Sequence, residues 1–509
     1  MVFKQKYTLG EAVPDSPHSV VSNLPTLADV CAYEEKATYV AGAMGQGYPR
    51  FVEHRWVRVL RERMAADLGV PAASSVVVRK LTRCLRDSIL ALDSAIQCHS
   101  FDAQVYGLAI DLLYLSTEHY SPEAEEKLKA FVQHTGCRIS SRIAEELLSG
   151  LGYFGGGWKG IVGAECEGAE RAVIQSIAEL SGLPSSEAVS ITASGMNAFY
   201  AAFKAMQSWQ LARGRTECLQ LGWLYVDSGH ILQKYLSAEE TLSVEYAICD
   251  TEVILEKIES LGEALSVVVL EFPTNPFCEL ADLKRISEAV WAHGGLLLID
   301  PSILSVYNVN CTPYADVLVS SLTKYAAHTG DVMAGTVVLN EASVAYAELR
   351  EGISAHAIPL HGADLCALQR SMRTAQSSVE RINENTCRVV DFLKGHPKVR
   401  RVFSVSENQQ EHAYLNGVYA QGSIVSIELA GSMEVFYDRV QLVKGPSFGT
   451  DFTIVCPYFY LAHYDLVIDT SPNNLCDRLG VDRNLIRISV GCEPIEELLG
   501  AFASALDAL

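Results

Sequence analysis

The sequence has no apolar run near the roughly 20 residues needed to cross a bilayer, and no CxxC or HExxH anywhere in its 509 residues. The opening Met1–Tyr7 stretch leads into no apolar core; Pro14, Asp15 and Pro17 follow instead. These absences predict neither a membrane span nor an export signal, and hence a cytoplasmic protein. Basic residues are in deficit, 40 against 61 acidic, so the formal charge is 40 − 61 = −21. That balance repels polyanions, and neither nucleic acid nor an anionic membrane is an expected partner. Fourteen cysteines are scattered, the closest pair (Cys84 and Cys98) fourteen apart. They read as reduced, buried thiols, and no metal is expected. Hydrophobic residues at 49% against 20% charged exclude global disorder.

What is present changes along the chain. Residues 1–24 are polar and proline-bearing and read as an arm. From Leu27 to Gly150 the pattern is helical. Its clearest element has Ser121 as N-cap, Pro122 at the first position, acids in the first turn and Gly136 as the stop. No chemical motif falls between Val76 and Leu148, so this segment reads as an added helical layer or a subunit contact. Gly150–Gly160 is rich in glycine but lacks the GK[ST] ending and the leading strand of a phosphate loop, and reads as a joint. Thereafter short Val/Ile/Leu runs alternate with helices, the signature of parallel strands covered on both faces. The predicted fold is α/β. The expected division is an arm and helical extension (1–150), a large domain (151–375) and a smaller α/β domain (376–509).

Ligands in such sheets sit at the carboxyl ends of the strands. Ser266–Leu270 is followed by Glu271-Phe272-Pro273-Thr274-Asn275-Pro276. Gly295–Ile299 ends in Asp300, and Ala315–Val319 runs into Ser320-Ser321-Leu322-Thr323-Lys324-Tyr325. Upstream, Val189–Thr192 leads to Ser194-Gly195-Met196 and a helix. A lysine amine, a carboxylate and a small-residue turn opening a helix are what pyridoxal phosphate requires. The lysine binds its aldehyde, the carboxylate keeps its ring nitrogen protonated, and the helix N-terminus takes its phosphate. Each feature alone is commonplace; their ordered combination is not.

These residues resemble the Cys/Met-metabolism family of pyridoxal-phosphate enzymes, which includes cystathionine γ-synthases, cystathionine lyases and methionine γ-lyase. Asp331-Val332-Met333-Ala334-Gly335, Ser447-Phe448-Gly449 and Leu485-Ile486-Arg487-Ile488-Ser489 extend the likeness over about residues 165–509. Tyr48-Pro49-Arg50 and Lys444–Thr450 are similar to the long, fungal-type cystathionine γ-synthase subgroup. The resemblance implies a fold-type-I transferase (aspartate aminotransferase-like), with a mostly parallel sheet and a smaller C-terminal α/β domain. It implies Lys324 as the cofactor-bearing lysine and Asp300 as the partner of the ring nitrogen. Gly195, Met196, Ser321 and Thr323 fall at the phosphate, Tyr225 on the ring and in proton traffic, and Asn275 near a cofactor oxygen. Arg487, with Ser447 and Asn275, falls at the substrate carboxylate. Tyr48 and Arg50 match a pair that the family lends to the neighbouring subunit's phosphate, so a homo-oligomer (dimer or tetramer) is expected. Val226-Asp227 stands where glycines are usual, and Asp300-Pro301-Ser302 replaces Asp-Asn-Thr. Ala327-His328-Thr329-Gly330 replaces Gly-Gly-His-Ser, a change expected to reshape the substrate side.

The implied activity is γ-replacement on an O-acetyl-, O-succinyl- or O-phosphohomoserine by cysteine or a related nucleophile, through a vinylglycine-type intermediate. A γ- or β-lyase and a synthase using a non-thiol nucleophile share the same motifs. From a different class, a non-catalytic scaffold has no use for Lys324, Asp300 and Arg487 together. The expected partners are small amino-acid substrates.

Overall fold

The computed structural model describes residues 7–103, 108–154, 167–407, 414–416 and 420–509. Its centre is a seven-stranded sheet of β4 (Val189–Thr192), β5 (Glu217–Leu221), β6 (Thr241–Glu245), β7 (Leu265–Glu271), β8 (Leu296–Asp300), β9 (Val317–Ser321) and β10 (Gly335–Leu339), in the order β4-β10-β9-β8-β7-β5-β6. Only β10 runs antiparallel to its neighbours. All seven residues of β7 are buried, as a strand covered by helices on both faces must be. A second sheet, β11-β12-β15-β14-β13, comprises β11 (Val399–Phe403), β12 (Ile424–Leu429), β13 (Val443–Lys444), β14 (Ile454–Pro457) and β15 (Ile486–Ser489). A single 34-residue helix, Gly362–Gly395, leads from the first sheet to the second and runs through the predicted boundary at 375. Among the described residues no helix is long and apolar enough to cross a membrane.

The extension differs from the helical reading. Residues 75–115 hold an antiparallel sheet of β1 (Ser75–Arg79), β2 (Ile96–Phe101) and β3 (Ile110–Leu115), ordered β1-β3-β2. Its strands alternate between two cores. Val76, Val78, Leu113 and Leu115 pack with Leu128 and Phe131 and onward to Phe199 and Phe203 of the central helix Gly195–Leu211. Val77, Ile110 and Leu112 pack with Val57 and Leu60 of Arg55–Leu68 and Ile143 and Leu147 of Ser141–Gly150. Burial on both faces erases the polar alternation that marks a strand in sequence. Helix Pro122–Thr135 forms as read, with Ser121 Oγ accepting from Ala124 N and Gly136 left-handed at φ +60°.

The arm is not a free polar tail either. Val13, Val20 and Val21 are buried against Val443, Phe452 and Ile454, and Leu24 N donates to Lys444 O at 3.0 Å. The joint read over Gly150–Gly160 falls largely outside the described residues. Among the described residues twelve cysteines form no disulfide, whereas Cys366 is disulfide-bonded. This corrects the expectation of reduced thiols.

Candidate active site

A cleft with about 780 Å³ of open space, part of it continuous with solvent, lies at the carboxyl ends of β7, β8 and β9. The first sheet and its following turns contribute Gly195, Met196, Tyr225, Glu271, Asn275, Asp300, Ser321 and Lys324; the second contributes Ser447, Phe448 and Arg487; the N-terminal extension brings Tyr48, Arg50 and Phe51. Every residue singled out from the sequence lines the cavity except Thr323. That side chain lies behind it, accepting from Ala334 N at 3.0 Å and donating to Ala334 O at 3.2 Å.

Lys324 leaves the end of β9 and is buried. Its Nζ donates to Ser447 Oγ at 3.3 Å and stands 4.9 and 4.7 Å from the ring centroids of Tyr48 and Phe448. Burial lowers its pKa, and the charges of Arg487 and Arg50 lower it further against Tyr48 and Asp300. The amine is therefore easier to deprotonate than an exposed lysine. Asp300 ends β8 in register with Glu271 at the end of β7. Burial raises both carboxyls, although Ser302 N donates to Asp300 Oδ1 at 2.9 Å. Ser302 Oγ in turn accepts from Ser321 N at 2.8 Å, so the altered Asp300-Pro301-Ser302 segment still ties β8 to β9.

Arg487 lies mid-strand in β15, 4% exposed, its Nη1 donating to Asn275 Oδ1 at 3.2 Å and Nη2 to the carbonyls of Pro446 and Ser447. Its Nε is buried without a partner. The helix Gly195–Leu211 points its N-terminus at the cavity, Ser194 Oγ accepting from Asn197 N at 3.1 Å. A Cβ on Gly195 would stand 2.9 Å from Ser321 Cβ, so only glycine lets the helix end approach β9 this closely.

Tyr225 caps the helix Val226–Lys234, and its N donates to the Glu271 carboxylate. Burial holds its phenol well above the ordinary value, so it is protonated at neutral pH. Burial also pushes Tyr48 up, but the charges of Lys324 and Arg50 and the hydroxyls of Thr323 and Ser321 outweigh it, leaving that phenol below its ordinary value. Arg50 donates to the Tyr225 hydroxyl and pairs with Asp227 at 2.8 Å, both side chains 1% exposed. Asp227 also accepts from Gln133 Nε2 at 2.8 Å. Neither Asp227 nor Gln133 was identifiable as a site residue from sequence, since Gln133 lies in the motif-free extension. Glu271 had a signal, a carboxylate closing a buried strand. Ala327–Gly330 does not line the cavity, contrary to expectation: His328 turns away to Ser371 O and Thr374 Oγ1, and Gly330 O accepts from Val20 N at 2.9 Å.

These groups fit pyridoxal phosphate. A helix N-terminus and a buried Arg50 Nε without a partner suit the phosphate. Asp300 is an acceptor for a ring N–H, and Lys324 lines the same cavity. A family model described as Cys/Met metabolism PLP-dependent enzyme matches residues 168–507. The chain belongs to that family. The enzyme is 29% identical over 505 residues to an L-2-amino-4-chloropent-4-enoate dechlorinase/desaturase of Streptantibioticus cattleyicolor, covering 97% of each chain. It is 32% identical over 320 residues to a cystathionine gamma-synthase of Neurospora crassa, covering 61% of this chain and 50% of that one. Among solved structures, a cystathionine gamma synthase from Xanthomonas oryzae pv. oryzae, in complex with aminoacrylate and cysteine, superposes with a TM-score of 0.56. That likeness is at 22% identity over 68% of this chain and 87% of that chain, and establishes the fold as type I.

Proposed function

We propose that the enzyme expels a leaving group from Cγ of an L-2-amino acid and joins a nucleophile there, acting on an O-activated homoserine with cysteine or a related thiol. The observation that carries this reading is a single buried amine in the cavity, Lys324, with no carboxylate paired to it among the described residues, between the N-terminus of helix Gly195–Leu211 and Arg487. Pyridoxal phosphate, when bound, supplies an electron-accepting ring conjugated with the substrate's Cα. Asp300 would hold the ring nitrogen, and Gly195, Met196 and Ser321 would surround the phosphate, with Thr323 behind them.

Arg487 binds the substrate carboxylate, kept in one orientation by Asn275 and the Pro446 and Ser447 carbonyls. Lys324, its pKa lowered by burial, removes the Cα proton and then moves a proton at Cβ, so that the bond from Cγ breaks with its electron pair going to the leaving group. Tyr225 and Phe448 wall the cavity and limit water, and Ser447 Oγ steadies the lysine. The same first steps without capture give elimination. That second reading is favoured by the dechlorinase/desaturase, whose similarity spans the extension as well as the catalytic region.

The test is incubation with O-acetyl-, O-succinyl- and O-phosphohomoserine and a γ-chloro-2-amino acid, with and without cysteine, followed by mass analysis. A C–S-linked product supports replacement, and an unsaturated or oxo acid regardless of cysteine supports elimination. Release of no γ-group from any of them overturns both.

A further inference from the structure

We propose that His134, Asp227 and His230 form a binding site for a divalent transition cation of the zinc class, which clasps the added layer to the helix that follows β5. The inference goes beyond the Cγ chemistry above and does not depend on it. Residue spacing holds no sign of such a site. Asp227 and His230 lie three apart on the helix Val226–Lys234, but His134 comes from the helix Pro122–Thr135 of the added layer. Only tertiary packing brings the three together.

Among the described residues this is the one group of three metal-capable side chains whose ligand atoms all lie within 4.8 Å of one another. Asp227 Oδ1 stands 3.9 Å from His134 Nε2 and 3.7 Å from His230 Nδ1, beyond hydrogen-bond reach of either ring. The three atoms thus converge without being joined to one another. A tetrahedral ion bound at about 2.0–2.1 Å sets its donors roughly 3.3 Å apart, so a contraction of about half an ångström closes both separations on an ion. Two imidazoles and one carboxylate leave the fourth position open.

The groups behind the cluster orient it as the outer shell of a metal site does. The Tyr235 hydroxyl engages His134 Nδ1 at 3.3 Å, which fixes the ring and leaves Nε2 for the ion. Asp227 Oδ1 accepts from Gln133 Nε2 at 2.8 Å and Oδ2 pairs with Arg50 at 2.8 Å. A carboxylate oxygen has two lone-pair sites, so Oδ1 keeps one for an ion. His134 and Asp227 are buried and His230 is half-buried, so an ion enters from solvent past His230. The charge of Arg50, with Lys234 in the last turn of the same helix as His230, opposes a cation held by charge alone. Ions bound through imidazole, such as Zn2+ and Co2+, are therefore favoured over oxygen-seeking Mg2+.

The deciding experiment titrates untagged holoenzyme, stripped of metal by chelation and dialysis, with Co2+ and Zn2+. Bound ion is counted by equilibrium dialysis with elemental analysis and, for Co2+, by its visible ligand-field absorption. The expected result is a stoichiometric ion that excess Mg2+ does not displace. His134→Asn and His230→Asn each weaken binding at least about 100-fold, and Tyr235→Phe, which removes only the hydroxyl behind His134, weakens it about 10-fold. His230 is half-buried, so its replacement keeps the test valid should the His134 variant fold poorly. His119→Asn, at an exposed histidine outside the cluster, leaves binding unchanged. Zn2+ raises the melting temperature of the wild type but not of His230→Asn. Absence of a stoichiometric ion, binding undiminished in His230→Asn, an equal rise in melting temperature for both proteins, displacement by Mg2+, or the sulfur-to-cobalt charge-transfer band of a thiolate site overturns the proposal.

Discussion

At the scale of the residue, the site divides by how its members sit in the chain. Lys324, Asp300 and Asn275 follow buried strands, where chemistry in a parallel sheet collects, so sequence order exposes them. The Arg50–Asp227–Gln133 cluster is invisible in sequence because its members are 83 and 94 residues from Gln133 and meet only through tertiary packing. The proposed roles carry distinct expectations. Lys324→Ala abolishes turnover. Asp300→Asn retains cofactor but loses at least about 100-fold in kcat, since a neutral amide no longer favours a protonated ring nitrogen. Arg487→Ala lowers kcat/KM about 10- to 100-fold, mostly through KM, as expected for a charged contact with the substrate carboxylate. Steady-state kinetics with a turned-over substrate separate the three.

At the scale of the element, the parallel strands were legible because continuous apolar runs betray two-sided burial, whereas β1 and β3 carry the same texture inside a segment whose neighbours are strongly helical. The capping of Pro122–Thr135 was legible; its destination was not. Its terminal Gly136 meets the start of helix Gly195–Leu211, and a Cβ there would fall 2.0 Å from Ser194 Oγ at a backbone φ of +60°. Gly136→Ala should lower stability by about 2–4 kcal/mol and weaken cofactor retention together, checked by thermal melts with and without pyridoxal phosphate. Two histidines of the same layer contribute to its acid sensitivity. His54 caps Arg55–Leu68 and contacts Pro17 O at 2.9 Å, while His134 packs near Asp227, His230 and Tyr235. Burial lowers each to about 4. The unfolded chain titrates these rings near pH 6.5, so between about 6.5 and 4 it binds more protons than the folded one, and stability falls as pH drops through that window. The melting temperature should decline from pH 7 to pH 5. His54→Asn, which keeps a capping acceptor but cannot titrate, should flatten that decline.

At the scale of the whole molecule, an acidic chain of net charge −21 concentrates Lys324, Arg487 and Arg50 in one buried cavity, the inverse of its surface balance. The catalytic region was legible because it follows the family's motifs. The front of the chain was not, because isolated valines such as Val13, Val20 and Val21 declare their burial only once a second sheet is there to receive them. The extension and arm are thus part of the site's construction rather than an appendage. The central claim is that one lysine moves protons at both Cα and Cβ, which separates Cγ chemistry from simple Cα chemistry such as racemisation. It is tested most directly by incubating the enzyme with L-norvaline, which has no leaving group, in deuterated water and following exchange by proton NMR. The account predicts deuterium at Cα and at Cβ, both lost in Lys324→Ala; exchange confined to Cα, with racemisation, would contradict it.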